Sequence, residues 1–119
     1  NIDFRTLDIT HDNLPPGDVV FIRQVLQHLS NTDIKKIIPK LALNYNYLVL
    51  TEDLPIIENF THNLDIDTGP MTRSICDSGV VLTSPPFNLE VEDEKIILKV
   101  RSNKGDITTT IYKLKKQNR

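Results

Sequence analysis

Four consecutive apolar residues, Val19 to Ile22, follow a Pro15-Pro16-Gly17 turn and Asp18, and polar residues begin abruptly at Arg23. The run is short and β-branched, which predicts a strand covered on both faces rather than a helix. Arg23, Gln24 and His28 follow its carboxyl end, the edge at which open doubly wound sheets bind ligands. Ser30-Asn31-Thr32-Asp33 then offers capping residues spaced like a capping box, with Asp in place of Glu. Ile34, Ile37, Ile38, Leu41 and Ala42 fall on one face of a 3.6-residue repeat, so a helix is expected from there, with a kink or early end near residues 35–39 because Pro39 lacks a donor. Tyr45 to Leu50 is the next expected strand, with Thr51-Glu52-Asp53 at its carboxyl end. Residues 2–7 read as a further short strand and 8–17 as a loop. Lys95 to Arg101 and Ile107 to Leu114 flank Ser102-Asn103-Lys104-Gly105-Asp106, and the alternation of the second segment predicts an antiparallel hairpin.

Between Leu54 and Leu89 periodicity is lost. Pro55, Pro70, Pro85 and Pro86 with Gly69 and Gly79 break up the stretch, which predicts an irregular excursion, and long loops inside a small domain commonly carry function. The length, 119 residues, suits one domain. A net charge of -2 gives no electrostatic footing for sequence-independent nucleic-acid binding. The basic tail Lys113, Lys115, Lys116 and Arg119 reads as a solvated strand end before it reads as a site for an anionic partner. Cys76 is the single cysteine, so no intrachain disulfide forms, and no activating base adjoins it; a packed thiol is expected. No apolar run approaches the ~20 residues that span a bilayer, and no signal-peptide core opens the chain. These features predict a cytoplasmic protein with no membrane contact.

The string Asp18-Val-Val-Phe-Ile-Arg23-Gln24-Val25-Leu26-Gln27-His28-Leu29 resembles the fourth-strand region of class I S-adenosylmethionine-dependent methyltransferases. Phe4-Arg5-Thr6-Leu7-Asp8-Ile9 with Leu14-Pro15 is similar to that family's third strand and its adenine-contacting acid. Asn63-Leu64-Asp65-Ile66, Gly69, Arg73 and Pro85-Pro86-Phe87-Asn88-Leu89 resemble a loop of one bacterial-type branch. The similarity runs from about residue 2 to 114. Two departures stand out: Gln24 replaces an acid carried by many relatives, and the four glycines include no G-x-G spacing. The resemblance therefore implies the carboxyl-terminal portion of a methyltransferase domain over residues 1–119. Its fold would be α/β, a partial Rossmann-like sheet of parallel strands ending in an antiparallel hairpin, without the glycine-rich first half. A sheet so truncated would expose strand edges, and dimerisation through them is expected.

Through the resemblance, Asp8 and the Ile9 amide would contact adenine, and Arg23, Gln24 and Val25 would line the methionine end of S-adenosylmethionine. His28 is the catalytic candidate, an imidazole able to accept a proton near neutrality. Asp53 at a strand end, and Asp65 and Arg73 in the excursion, would bind a small-molecule acceptor. Each has a plainer alternative: Asp8 as a turn cap, Arg23 in a surface salt bridge, His28 as a helix-positioning residue, Asp65 and Arg73 in a solvated loop. His62, Asp65 and Asp67 fit no standard metal loop, so no metal site is expected. The other class of function is a non-catalytic interaction module derived from the same fold.

Overall fold

The computed structural model describes residues 1–103 and 105–116. Lys104 and Arg119 lie outside the described residues. The apolar run is strand β1 (Val19–Arg23), and helix α1 (Asn31–Asn44) follows it after a 3₁₀ turn over Leu26–His28. The Ser30 hydroxyl accepts the Asp33 N–H at 3.1 Å, satisfying one of the amides that open a helix. Ile34, Ile37 and Leu41 are fully buried, which confirms the apolar face of the repeat. The early end expected near Pro39 does not occur. Pro39 and Lys35 lie on the exposed side of α1, so the Lys35 carbonyl that loses its donor is on the solvent side rather than in the core, and the helix continues to Asn44.

Strand β2 (Tyr47–Pro55) extends five residues beyond the Leu50 limit expected from its apolar run. It pairs parallel with β1, Val19 opposite Tyr47 through Arg23 opposite Thr51. Two further short strands in the excursion, β3 (Thr61–His62) and β4 (Ser78–Gly79), pair with each other. The hairpin is β5 (Val91–Arg101) and β6 (Gly105–Leu114), antiparallel as its alternation predicts. Strand β6 also runs antiparallel to β2, giving the order β1-β2-β6-β5 and a mixed sheet in an α/β fold.

One face of this sheet carries the core, and the other is buried only at its centre, around Thr51 and Thr109. Ile22, Leu48, Leu50, Tyr112 and Leu114 pack with α1, and the second half of the excursion adds Val80, Leu82, Phe87 and Leu89 to the same core. The excursion is therefore irregular in backbone but half of it is interior. Gly79 lets it pack closely: a Cβ there would come within 2.7 Å of Leu54 Cδ2. On the opposite face Phe21 pairs with Val49 and Val49 with Ile111, while Leu98 and Val100 lie opposite Thr109 and Ile107; Phe21 at the edge is 75% exposed. Strand β1 is thus covered on one face only, a correction to the two-sided burial expected of it.

The strand expected at residues 2–7 is absent, and Phe4 is 89% exposed. A strand exists only against a partner, and the chain is drawn elsewhere. Lys40 of α1 donates to the carbonyls of Ile9 and Asp12, at 3.1 and 2.8 Å, so residues 9–14 lie along the helix rather than along β1. In the basic tail, Lys113 and Lys115 approach Glu92 and Glu90, and Lys116 donates to the carbonyls of Ala42 and Tyr45 at the end of α1. Among the described residues no helix is long and apolar enough to cross a membrane.

Candidate functional site

The carboxyl ends of β1 and β2 carry the polar residues that the apolar runs left over. Gln24 N–H donates to Thr51 O at 2.8 Å, which extends the ladder by one bond, and Gln24 itself has φ 51°. Four other non-glycine residues share the left-handed region, Asn59, Asn63, Asp77 and Asn88, all of the types that tolerate it. Gln24 is the exception, held at a cost of order 1 kcal/mol at the point where the chain leaves the sheet. Arg23 is exposed and forms no salt bridge among the described residues, and Val25 is also on the surface.

Beneath this turn lies a buried polar network. Gln27 N–H donates to Glu52 Oε2 at 3.2 Å, and Asp53 N–H donates to Gln27 Oε1 at 2.9 Å. Glu52 follows Leu48 and Leu50 on the core face and is 2% exposed. Burial pushes its carboxyl up to about 8, against the pull of the Gln27 amide and the Arg73 charge. Arg73 is 1% exposed. It donates through Nε to Leu64 O at 2.7 Å, through Nη2 to Leu29 O and Asn31 Oδ1 at 2.7 and 2.8 Å, and through Nη1 to Leu26 O and Gln27 O at 3.4 Å. Desolvation lowers its pKa, while Asp65 and Glu52 favour its charge. Among the described residues three buried side-chain atoms have no hydrogen-bond partner: His28 Nδ1, Glu52 Oε1 and Asp53 Oδ1. They belong to the two short segments, 27–28 and 52–53, that Gln27 ties together.

The excursion wraps the start of α1. Asp65 Oδ1 accepts the Asn31 N–H at 2.9 Å, placing a carboxylate at the positive end of the helix dipole. Asn31 Nδ2 donates to Asn63 O, Ser30 N–H donates to Thr68 Oγ1, and Gly69 N–H donates to His28 O at 3.0 Å. Asn63 acts as an inserted peptide unit: its side chain accepts the Val81 N–H and donates to the Val81 and Pro85 carbonyls.

The structure thus brings Arg23, Gln24, Val25, His28 and Asp53 to one end of the parallel pair, with Asp65 and Arg73 behind them. Arg73 is not available to clamp a substrate anion, because its five N–H groups are all directed at oxygen atoms of the protein. Asp8 and Ile9 stand apart from this group. Asp8 Oδ1 accepts from the Thr10 amide and hydroxyl, at 2.9 and 2.7 Å, and Oδ2 lies 3.0 Å from His11 Nδ1. These bonds hold its pKa down to about 2 in an exposed local turn. Cys76 is exposed rather than packed. Among the described residues no group of three His, Cys, Asp or Glu is placed to hold a metal. A groove of about 520 Å³ between the hairpin and the excursion, lined by Leu54, Val80, Val81, Ile96, Thr108 and Tyr112 among others, contains none of the candidate residues.

Glu52, Gln27, Asn31 and Asn63 are the polar residues that the sequence analysis missed. Glu52 had a signal, since a two-residue step from Leu48 and Leu50 points it inward. Gln27 and Asn31 had none, because their partners lie in segments 25 to 34 residues away. No protein-family model matches the chain, and no curated protein or solved structure matches it significantly.

Proposed function

We propose that the chain is the carboxyl-terminal portion of a class I S-adenosylmethionine-dependent methyltransferase domain, acting on a small-molecule acceptor in the cytoplasm. One observation carries this reading. A parallel strand pair ends in a strained turn with unpartnered buried polar atoms, and an antiparallel hairpin completes the same sheet. Ligands of open α/β sheets bind beyond the carboxyl ends of the strands, where this turn lies.

In this reading the residues at that end would serve a sulfonium cofactor and its acceptor. S-adenosylmethionine would supply a methyl group already activated for transfer. The protein's part is to orient, to exclude water and to take a proton. Arg23, Gln24 and Val25 would line the methionine end, and Asp8 and Ile9 the adenine, once Asp8 exchanges its bonds to Thr10 and His11. His28, partly exposed in that turn, would take the acceptor's proton. Asp53 would orient the acceptor, with Asp65 at the rim. Arg73 has no place in this contact set.

Calorimetric titration with S-adenosylmethionine tests the proposal. The full-length protein should bind it, and residues 1–119 alone should bind weakly or not at all, because no G-x-G turn is among them. A full-length protein that does not bind overturns the reading; tight binding by residues 1–119 overturns the claim that another segment supplies the main cradle. The second reading, a non-catalytic interaction module, draws on the exposed apolar face around Phe21, and self-association through the free edge of β1 belongs with either. The same titration separates them.

A further inference from the structure

We infer that Arg73 and Glu52 are positioning residues for the turn at 23–28, and that they set the affinity of the cofactor site without touching the cofactor. The cofactor's identity rests on the methyltransferase reading above; the clamp rests on hydrogen bonds alone. Between the last ladder bond at Gln24 and the first turn of α1, the backbone has polar groups that neither strand nor helix can pair. Every buried group of this kind needs a partner. Arg73 supplies donors to the carbonyls of Leu26, Gln27 and Leu29, and Glu52 supplies the acceptor for the Gln27 N–H. Cation and carboxyl thus hold opposite polarities of the same turn.

The clamp also reaches outward. Through Leu64 O and Asn31 Oδ1, Arg73 joins the excursion, the turn and the start of α1 into one body. The Gln27 side chain returns a bond to the Asp53 amide, so the turn and the end of β2 share their position. If the guanidinium is shortened, the Gln27 and Leu29 carbonyls lose their Arg73 donors together, Leu26 O keeps only the Leu29 N–H, and the turn relaxes toward water. Misplacement by about 1 Å costs up to a hundredfold in an aligned site.

Glu52 makes the clamp sensitive to pH. The charged and titratable groups around it are Arg73 from the 3₁₀ turn Arg73–Cys76, Asp53 on its own strand and Tyr112 on β6; Asp65 acts through Arg73, and Glu94 through Tyr112. Protonated near neutrality, the carboxyl still accepts the Gln27 N–H. Once ionised, near pH 8, it becomes a buried charge whose Oε1 has no partner, and the turn gains free energy by opening to water.

The test is S-adenosylmethionine affinity of the full-length protein, titrated from about pH 6 to about pH 10, together with amide hydrogen exchange over residues 24–30. Arg73→Lys keeps a charge but not the planar fork, and should weaken affinity on the order of tenfold to a hundredfold with faster exchange in the turn. Glu52→Gln keeps an acceptor and removes the ionisation. It should hold wild-type affinity at pH 7 and abolish the weakening that wild type shows above pH 8. Wild-type affinity and exchange in Arg73→Lys, or an alkaline loss that survives in Glu52→Gln, would overturn the inference. Should wild type fail to bind the cofactor at all, the methyltransferase reading falls. The clamp is then judged by exchange: acceleration at 24–30 in Arg73→Lys upholds it, and unchanged exchange refutes it.

Discussion

Two irregular segments of this chain meet opposite fates. Residues 1–5 alternate polar and apolar side chains as a strand can, yet Ile2 and Phe4 are exposed and no ladder forms. Residues 54–89 show no periodicity, yet they supply four core side chains and bolt the turn at the carboxyl end of the sheet. The difference is partners. An alternating segment gains nothing until a strand edge accepts it, whereas polar side chains such as Arg73, Asn63 and Asp65 each find backbone groups that would otherwise be buried unpaired.

The largest test of this contrast sets one arginine against another. Arg73→Leu should destabilise the fold by roughly 3 kcal/mol or more in urea unfolding, since the carbonyls of Leu29 and Leu64 and the Asn31 amide oxygen lose their donor together. Arg5, whose ion pair to Asp3 is exposed on both sides, should tolerate alanine within about 0.5 kcal/mol. Equal effects would break the comparison.

A smaller effect is expected from Glu52. Its folded pKa is raised from 4.5 to about 8, so the native state binds the proton more tightly than the unfolded chain. That contribution is complete below about pH 4.5, declines as pH rises, and is gone above about pH 8; across the window it is on the order of a few kcal/mol. Chemical unfolding at several pH values should show this decline, and Glu52→Gln should flatten it. The smallest effect belongs to the helix start. Ser30→Ala should cost about 1 kcal/mol, because Asp65 and Thr68 still serve neighbouring amides; a loss several times larger would mean that the excursion depends on the cap rather than supporting it.

Much of the sheet was legible because its signals are local. Val19 to Ile22, the Ser30 cap with Ile34, Ile37 and Leu41, and the alternation after Gly105 each carry the information within a few residues. The polar clamp was not legible, because the acceptors of Arg73 are mostly backbone carbonyls at positions 26, 27, 29 and 64, and a carbonyl has no identity in a sequence. Phe4 and Leu7 misled for the converse reason: a pattern specifies which face would be buried but not whether anything is there to bury it. At the candidate site the gathering of Arg23, Gln24, His28 and Asp53 followed from strand ends alone. The left-handed backbone of Gln24 did not, since Gln is not a residue type that announces it.

Strand β6 lies between β2 and β5 although it is the last strand in the described sequence. During synthesis, then, β1, α1 and β2 leave the ribosome before the neighbour that β2 needs, and the hydrogen-bonding edge of β2 stays open until Leu114 has emerged. Most long-range pairing is deferred until the hairpin has been made, which leaves the apolar strands of β1 and β2 until then in the care of whatever shields nascent chains.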